Sequence, residues 1–264
     1  MIVSKRQLGI LQSARQFGTI EIGELAAELG VSHETIRRDI RLLVDRGDLI
    51  KLHGAVRHPD AEREAPFERR MRENVETKRL IARHAARMIE DGDSVMMDTG
   101  TTTSIFAREL LGKRGLTVVT NSSDVARTLA TVNGNRVYMA GGELHGDNGA
   151  AFGSAACAFL SGFNVRHAVI SIAAIDAQLG LMDYHLDEAE VARIILKRGE
   201  RRVVLTDSTK FARTALVRVA GIDEVDVVVT EAAPPHELGQ AIADAGTSIE
   251  IADPRADAGG AAAQ

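Results

Sequence analysis

Gly30-Val31-Ser32-His33-Glu34-Thr35-Ile36-Arg37-Arg38-Asp39-Ile40 is the stretch that decides the fold of the amino-terminal part of the chain. Gly30 suits the left-handed backbone that closes a preceding helix, and Ser32 is placed as the N-cap of the next one. Ile36, Ile40 and Leu43 then recur at helical spacing, which predicts a helix with one buried stripe. Upstream, Leu8, Leu11 and Phe17 predict a helix over Ser4 to Phe17 closed by Gly18, and Ile22, Leu25, Ala26 and Leu29 predict a second over Glu21 to Leu29. Downstream, Leu49-Ile50-Lys51-Leu52 and Ala55-Val56-Arg57 read as two short strands around His53-Gly54. Three helices, with a glycine turn before the third and a hairpin after it, predict a winged helix-turn-helix over residues 1–58.

In such a motif the start of the last helix meets base edges in the major groove, where every base pair shows a distinct donor and acceptor pattern. Ile36 belongs to the buried stripe. Ser32, His33, Thr35, Arg37 and Arg38 are therefore the candidate contacts to double-stranded operator DNA, with Lys51, His53 and Arg57 on the wing. An isolated Arg-Arg-Asp run reads more readily as a solvated helix face; the capped helices and the hairpin around it are what favour the DNA reading.

Charge permits that reading. The 264 residues carry a formal net charge of −5, but residues 1–58 hold nine Lys/Arg against seven Asp/Glu, so the acidity lies elsewhere. The length suits one small module and one medium domain. With 45% hydrophobic and 26% charged residues, no Trp and two Tyr, the composition is that of a globular protein and argues against base stacking on single strands as the main activity. No long apolar run or leader-like h-region is present, so no membrane partner and a cytoplasmic location are expected. Cys157, the one cysteine, reads as a small packed residue, and the eight scattered His form no ligand cluster. No metal, cofactor or catalytic residue is assigned.

Residues 59–76, with Pro59, Pro66 and dense charge, read as a linker that is helical at most in part. Over 77–252, helices at about Thr77–Glu90, Thr103–Leu111, Asp124–Ala130 and Glu188–Lys197 interleave with strands at Ser94–Met97, Leu116–Thr120, Arg136–Ala140, Ala168–Ile172, Val203–Thr206 and Val225–Val229. This alternation predicts a mostly parallel sheet covered on both faces, with ligands bound beyond the carboxyl ends of its strands. Residues 253–264 read as a disordered tail.

Thr35-Ile36-Arg37-Arg38-Asp39-Ile40 and Gly47-Asp48-Leu49-Ile50-Lys51-Leu52-His53-Gly54-Ala55 resemble the signature of the DeoR family of sugar-metabolism regulators. Two positions depart from it: Ala55 stands where a second wing glycine is usual, and Lys51 where Arg is frequent. The resemblance extends over about residues 5–232, through Asp98-Thr99-Gly100-Thr101-Thr102, Thr120-Asn121, Gly141-Gly142, the Gly153 region, Glu188–Glu190 and Asp207-Ser208-Thr209-Lys210-Phe211. It implies an α/β sensor domain resembling ribose-5-phosphate isomerase, and release from DNA by a phosphorylated sugar or related metabolite.

Read physically, Asp98, Thr99, Gly100, Thr101, Thr102 and Thr103 lie between a strand and a helix, where free backbone N–H groups and the helix dipole favour an anion. The run is neither a Walker A loop nor a dinucleotide fingerprint. Lys210 follows another strand at the same sheet edge and can complement a phosphate; Asn121, Gly141 and Gly142 also fall just past strands and rank lower. The rival readings are a sugar-phosphate isomerase, for which Asp176, Asp187, Glu188 and Glu190 are available carboxylates, and an activator using the same two domains. Ala173 stands where the resemblance leads one to expect an Asp, which disfavours proton-transfer chemistry. Because one recognition helix reads few base pairs, a homodimer or homotetramer is expected.

Overall fold

The structure, a computed structural model, describes residues 4–17, 19–52, 54–57 and 66–253, without the side chains of 5, 15–17, 19 and 57. The chain divides into two compact units at Arg70–Met71.

The first unit runs α1 (Lys5–Phe17), β1 (Thr19–Glu21), α2 (Ile22–Glu28), α3 (His33–Asp45), β2 (Ile50–Lys51) and β3 (Ala55–Arg57). Ile10, Leu25, Ile36, Ile40, Leu43, Leu49 and Val56 form its core, so the α3 stripe is buried as read, whereas in α1 Leu8 is exposed and Ile10 and Ala14 take the buried face. The expected hairpin is a three-stranded antiparallel sheet of order β1-β3-β2, because Thr19–Glu21 pairs with Ala55–Arg57. Glu21, expected to open the second helix, instead ends β1 and caps α2, exchanging hydrogen bonds with Glu24 in a capping box. Gly54 has φ +76°, a turn that favours glycine, whereas Ala55 is an ordinary strand residue opposite Glu21; the missing second glycine of the wing is thereby accommodated.

Helix α4 (Phe67–Arg72) and the start of α5 (Val75–Ala86) occupy the later half of the stretch read as a linker, and residues 59–65 of it lie outside the described residues. Met71 packs on the core of the second unit, which explains why helix begins ahead of Thr77.

The second unit is built on seven parallel strands of order β13-β12-β10-β7-β4-β5-β6: β4 (Ser94–Met97), β5 (Thr117–Thr120), β6 (Arg136–Met139), β7 (Val165–Ser171), β10 (Gly199–Leu205), β12 (Val227–Thr230) and β13 (Ser248–Ile251). Period-two alternation splits the strand residues between two cores. Val95, Met97, Val169, Val203, Leu205 and Val229 face α5, α6 (Thr101–Glu109) and α7 (Ser123–Leu129). Met96, Val119, Ile170, Val204 and Val228 face α8 (Gly153–Ser161), α9 (Leu186–Arg198) and α10 (His236–Asp244). A second, antiparallel sheet of β8 (Ala174–Asp176), β9 (Gly180–Asp183) and β11 (Val217–Ala220) follows β7. Gly199 ends α9 and opens β10 without a loop; a Cβ there would lie 2.3 Å from that of Ala168, so only glycine fits. Among the described residues no helix is long and apolar enough to cross a membrane.

The chain leaves β4 for β5 and β6, then returns on the other side of β4 with β7. That reversal opens a crevice between the carboxyl ends of β4 and β7, the place where open α/β sheets take ligands.

Candidate functional site

In the first unit, α3 presents its exposed face through His33, Glu34, Arg37, Arg38 and Arg41. Ser32 caps the helix: its Oγ accepts from the Thr35 N–H at 3.3 Å and lies 2.9 Å from the Thr35 hydroxyl, so these two candidates fasten the helix start. Ser32→Ala is expected to cost about 1 kcal/mol, seen as a lower unfolding midpoint of the first unit by circular dichroism; an unchanged midpoint would refute the cap. Arg37 and Arg38 remain outward, with Arg37 only 3.9 Å from Glu34 in a solvent-exposed pair. Arg41 sits one turn further on and extends the same basic face, a residue passed over in the sequence although its spacing from Arg37 and Arg38 marks it.

Asp39, next to the arginines in sequence, faces the other way. It is 6% exposed, accepts from Arg6 Nε at 2.5 Å and Gln7 Nε2 at 3.3 Å, and so ties α3 to α1. Gln7 in turn forms a reciprocal cap with Ser4. On the wing, Lys51 is exposed on β2; His53 lies outside the described residues, as does the side chain of Arg57.

In the second unit the crevice is polar and closely packed. Asp98, directly after β4, is 7% exposed, and its Oδ2 accepts from Ser171 N at 3.0 Å and Ser171 Oγ at 3.4 Å, joining the two strands across the crevice. Gly100 permits this: a Cβ there would lie 1.9 Å from Ser171 Oγ. Helix α6 begins at Thr101, two residues before the expected start, with Gly100 as its N-cap and no side-chain cap on its first amides. The Thr103 hydroxyl, counted as a ligand donor in the sequence, turns inward onto the carbonyl oxygens of Gly100 (3.1 Å) and Asp98 (3.4 Å), and its side chain is fully buried. Thr99, Thr101 and Thr102 surround it, nearly buried as well.

Asn121, at the end of β5 and 0% exposed, donates from Nδ2 to the Ala151 carbonyl at 3.1 Å, which fixes its amide with Oδ1 as an acceptor. Asp98 Oδ1, Thr99 Oγ1 and Asn121 Oδ1 are buried without a hydrogen-bond partner, a concentration uncommon in a folded interior. Three residues that the sequence did not single out complete the group. Ser171 is one, Asn148 donates to Glu188 at 2.9 Å, and Asp183 accepts from the N–H of Tyr184 at 2.6 Å. Ser171 was within reach, since it closes an apolar strand at the edge where Asp98 closes another; Asn148 and Asp183 carry no local signal.

Burial pushes the Asp98 carboxyl up to about 7, against the Thr103 hydroxyl and the Ser171 hydrogen bonds, and the Asp183 carboxylate nearby adds to the rise. Burial also raises Asp183, against hydrogen bonds from Tyr184 and His185.

Lys210 lies at the end of a short helical turn, Ser208–Lys210, after β10. Asp207 caps this turn through Thr209, and Glu231 holds Ser208 N at 3.1 Å and Ser208 Oγ at 2.5 Å. The half-buried Lys210 has no acidic partner within ion-pair distance among the described residues. Since β10 is two strands from β4, its backbone stands about 10 Å to one side of Asp98. Gly141 and Gly142, exposed after β6, stand a similar distance to the other side. Lys210 and the two glycines therefore flank a centre made by Asp98–Thr102 and Asn121. Among the described residues no group of three His, Cys, Asp or Glu is placed to hold a metal ion.

Comparison with known families matches both units. Residues 6–62 match a model described as the DeoR-like helix-turn-helix domain, and residues 73–232 one described as the DeoR C terminal sensor domain. The chain belongs to the DeoR family. As in that family, a DNA-binding helix-turn-helix precedes a mostly parallel α/β sensor domain, and the chain is a transcriptional regulator. DeoR-family relatives include the glycerol-3-phosphate regulon repressor of Escherichia coli (strain K12), 32% identical over 94% of this chain and 98% of its own. The HTH-type transcriptional repressor CsqR of the same organism is 32% identical over 94% and 95%, and the transcriptional repressor AccR of Agrobacterium fabrum 33% identical over 86% and 88%. Among solved structures, ribose 5-phosphate isomerase A from Methanocaldococcus jannaschii overlays 52% of this chain and 55% of its own at 16% identity and a TM-score of 0.39.

Proposed function

We propose that this DeoR-family regulator is a cytoplasmic repressor of a carbohydrate-metabolism operon. It holds its operator as a homodimer or homotetramer through α3 and the wing, and is released when a phosphorylated sugar or related polyol phosphate occupies the crevice between β4 and β7. The observation that carries the sensor half is the cluster of buried polar atoms without partners, on Asp98, Thr99 and Asn121, beside the uncapped amides that open α6. Buried polar atoms are stabilised by partners, and the positive end of a helix favours an anion. Repression is what the relatives do, among them a repressor of a glycerol-3-phosphate regulon.

Sensing without turnover is the reading favoured over an isomerase. Asp176, one of the available carboxylates, accepts from the N–H groups of Gln178 and Leu179 at 2.9 and 3.0 Å and shapes the β8–β9 turn, and position 173 holds a buried alanine.

The test is fluorescence anisotropy on the chain's own promoter DNA, at stated salt, with and without a panel of phosphorylated sugars and glycerol 3-phosphate. Release by one compound, with no turnover of it, supports the reading; DNA that stays bound through the whole panel refutes the sensor half. Coupling of this kind is typically about 1–3 kcal/mol, or about 5–150-fold in operator affinity. Lys210→Ala is expected to leave operator binding intact while raising the effector concentration for half-release by about tenfold. An unchanged half-release concentration would remove Lys210 from the site.

A further inference from the structure

The crevice is unusually rich in acid for a place that receives an anion. Asp98 directly follows β4, Asp183 ends β9, and Glu188 in the first turn of α9 accepts from Asn148. Asp183 acts electrostatically on Asp98, and Ser171 binds Asp98 directly, so these groups form one connected surface. The cation on its flank is Lys210. Two of the three partnerless buried atoms at its centre are acceptors, the Asn121 oxygen by its fixed amide and an ionised Asp98 oxygen, while the third, the Thr99 hydroxyl, can accept or donate.

The crevice therefore asks for hydrogen-bond donors that bring no second negative charge. A hydroxyl donates; a carboxylate does not, and it repels the acids already there. We infer that the site selects ligands whose sole anionic group is the phosphate and whose other polar groups are hydroxyls, and that it rejects the same carbon skeleton when a carboxylate replaces one of them. The inference rests on the phosphate reading above and deepens it, because specificity here comes from repulsion as much as from attraction. Asp98 and Asn121 are then the atoms that read the hydroxylated end, while the first turn of α6 and Lys210 hold the phosphate.

The test uses the full-length protein at pH 8, where Asp98 is ionised, and matched pairs of probes: glycerol 3-phosphate against 3-phosphoglycerate, and glucose 6-phosphate against 6-phosphogluconate. Inorganic phosphate serves as the bare head group. Binding is read by calorimetric titration or by the rise in unfolding midpoint. The expected result is that, in a pair that binds, the neutral-tailed member binds at least about tenfold tighter than the acid and tighter than inorganic phosphate. Asp98→Asn should narrow that ratio severalfold by improving binding of the acid. Glu188→Gln, which keeps the oxygen that accepts from Asn148, should narrow it as well and stands in if the first variant does not fold.

An acid that binds as tightly as its neutral partner, or a ratio that both variants leave unchanged, overturns the inference. So does binding of inorganic phosphate with no gain from either tail, an outcome that leaves the phosphate reading standing. If no probe binds, inorganic phosphate included, the phosphate reading itself fails and the inference falls with it.

Discussion

Replacing Arg38 with alanine is expected to lower operator affinity about 5- to 150-fold for each half-site contacted, and replacing Arg37 to do the same. Both guanidinium groups lie on the exposed face of α3, within two turns of its capped start, and Arg37 has only a weak, exposed ion pair to give up. A bidentate contact to a guanine edge contributes about 1–3 kcal/mol, and in a two-fold assembly the loss recurs at each half-site. Anisotropy at several salt concentrations separates the two roles that an arginine can play. If it reads a base, the variant tolerates changes in the operator at one position; if it holds phosphate, affinity falls evenly across sequences and the salt dependence loses about one unit of slope. The unfolding midpoint of the sensor domain should not move. Normal operator binding by either variant would take that residue off the interface.

The second large effect is on stability against pH. The Asp98 carboxyl titrates near 7 in the folded chain and at the ordinary 3.8 when unfolded, so the folded state holds a proton that the unfolded state releases between those values. The resulting stabilisation is fully present below about pH 4 and is lost as pH rises through 7, up to about 4 kcal/mol in all. Denaturant unfolding of the wild-type chain and of Asp98→Asn between pH 5 and 8 checks this. The difference in stability, wild type minus variant, should fall as pH rises and level off above pH 7, because the amide cannot titrate. A difference that stays flat, or that grows with pH, contradicts the burial of an uncompensated acid at the crevice.

Periodicity made much of the frame legible. The stripe Ile36, Ile40 and Leu43 was readable because burial on one face imposes a helical period, and the strands Ser94–Met97 and Val203–Leu205 because strands buried on both faces read as continuous apolar runs. What local pattern hid was mostly decided by distant partners. Asp39 looks like one more surface charge after two arginines, and only Arg6 and Gln7, more than thirty positions away, make it a buried tether. Thr101 and Thr102 are indifferent helix formers, yet both are buried in the first turn of α6. Strands β1, β8, β9 and β11 are three or four residues long, too short to show alternation. At the sensor site Asp98, Gly100 and Asn121 announced themselves by following strands, whereas Asp183 and Asn148 join through segments brought together only by the fold.

The reversal of strand order at β4 also matters while the protein is being made. Once β5 has paired, β4 still shows an open edge at Val95, Met96 and Met97, and its partner β7 begins only at Val165. At translation rates of about 5–20 residues per second the ribosome takes roughly 2–9 s to pass from Thr120, the end of β5, to that partner. For those seconds the emerging half-domain carries an apolar strand with unpaired amides, the kind of edge that recruits other chains. Folding yield in the cell therefore depends on how fast the stretch between Met97 and Val165 is translated, and slow codons placed there should lower the amount of regulator recovered in soluble form.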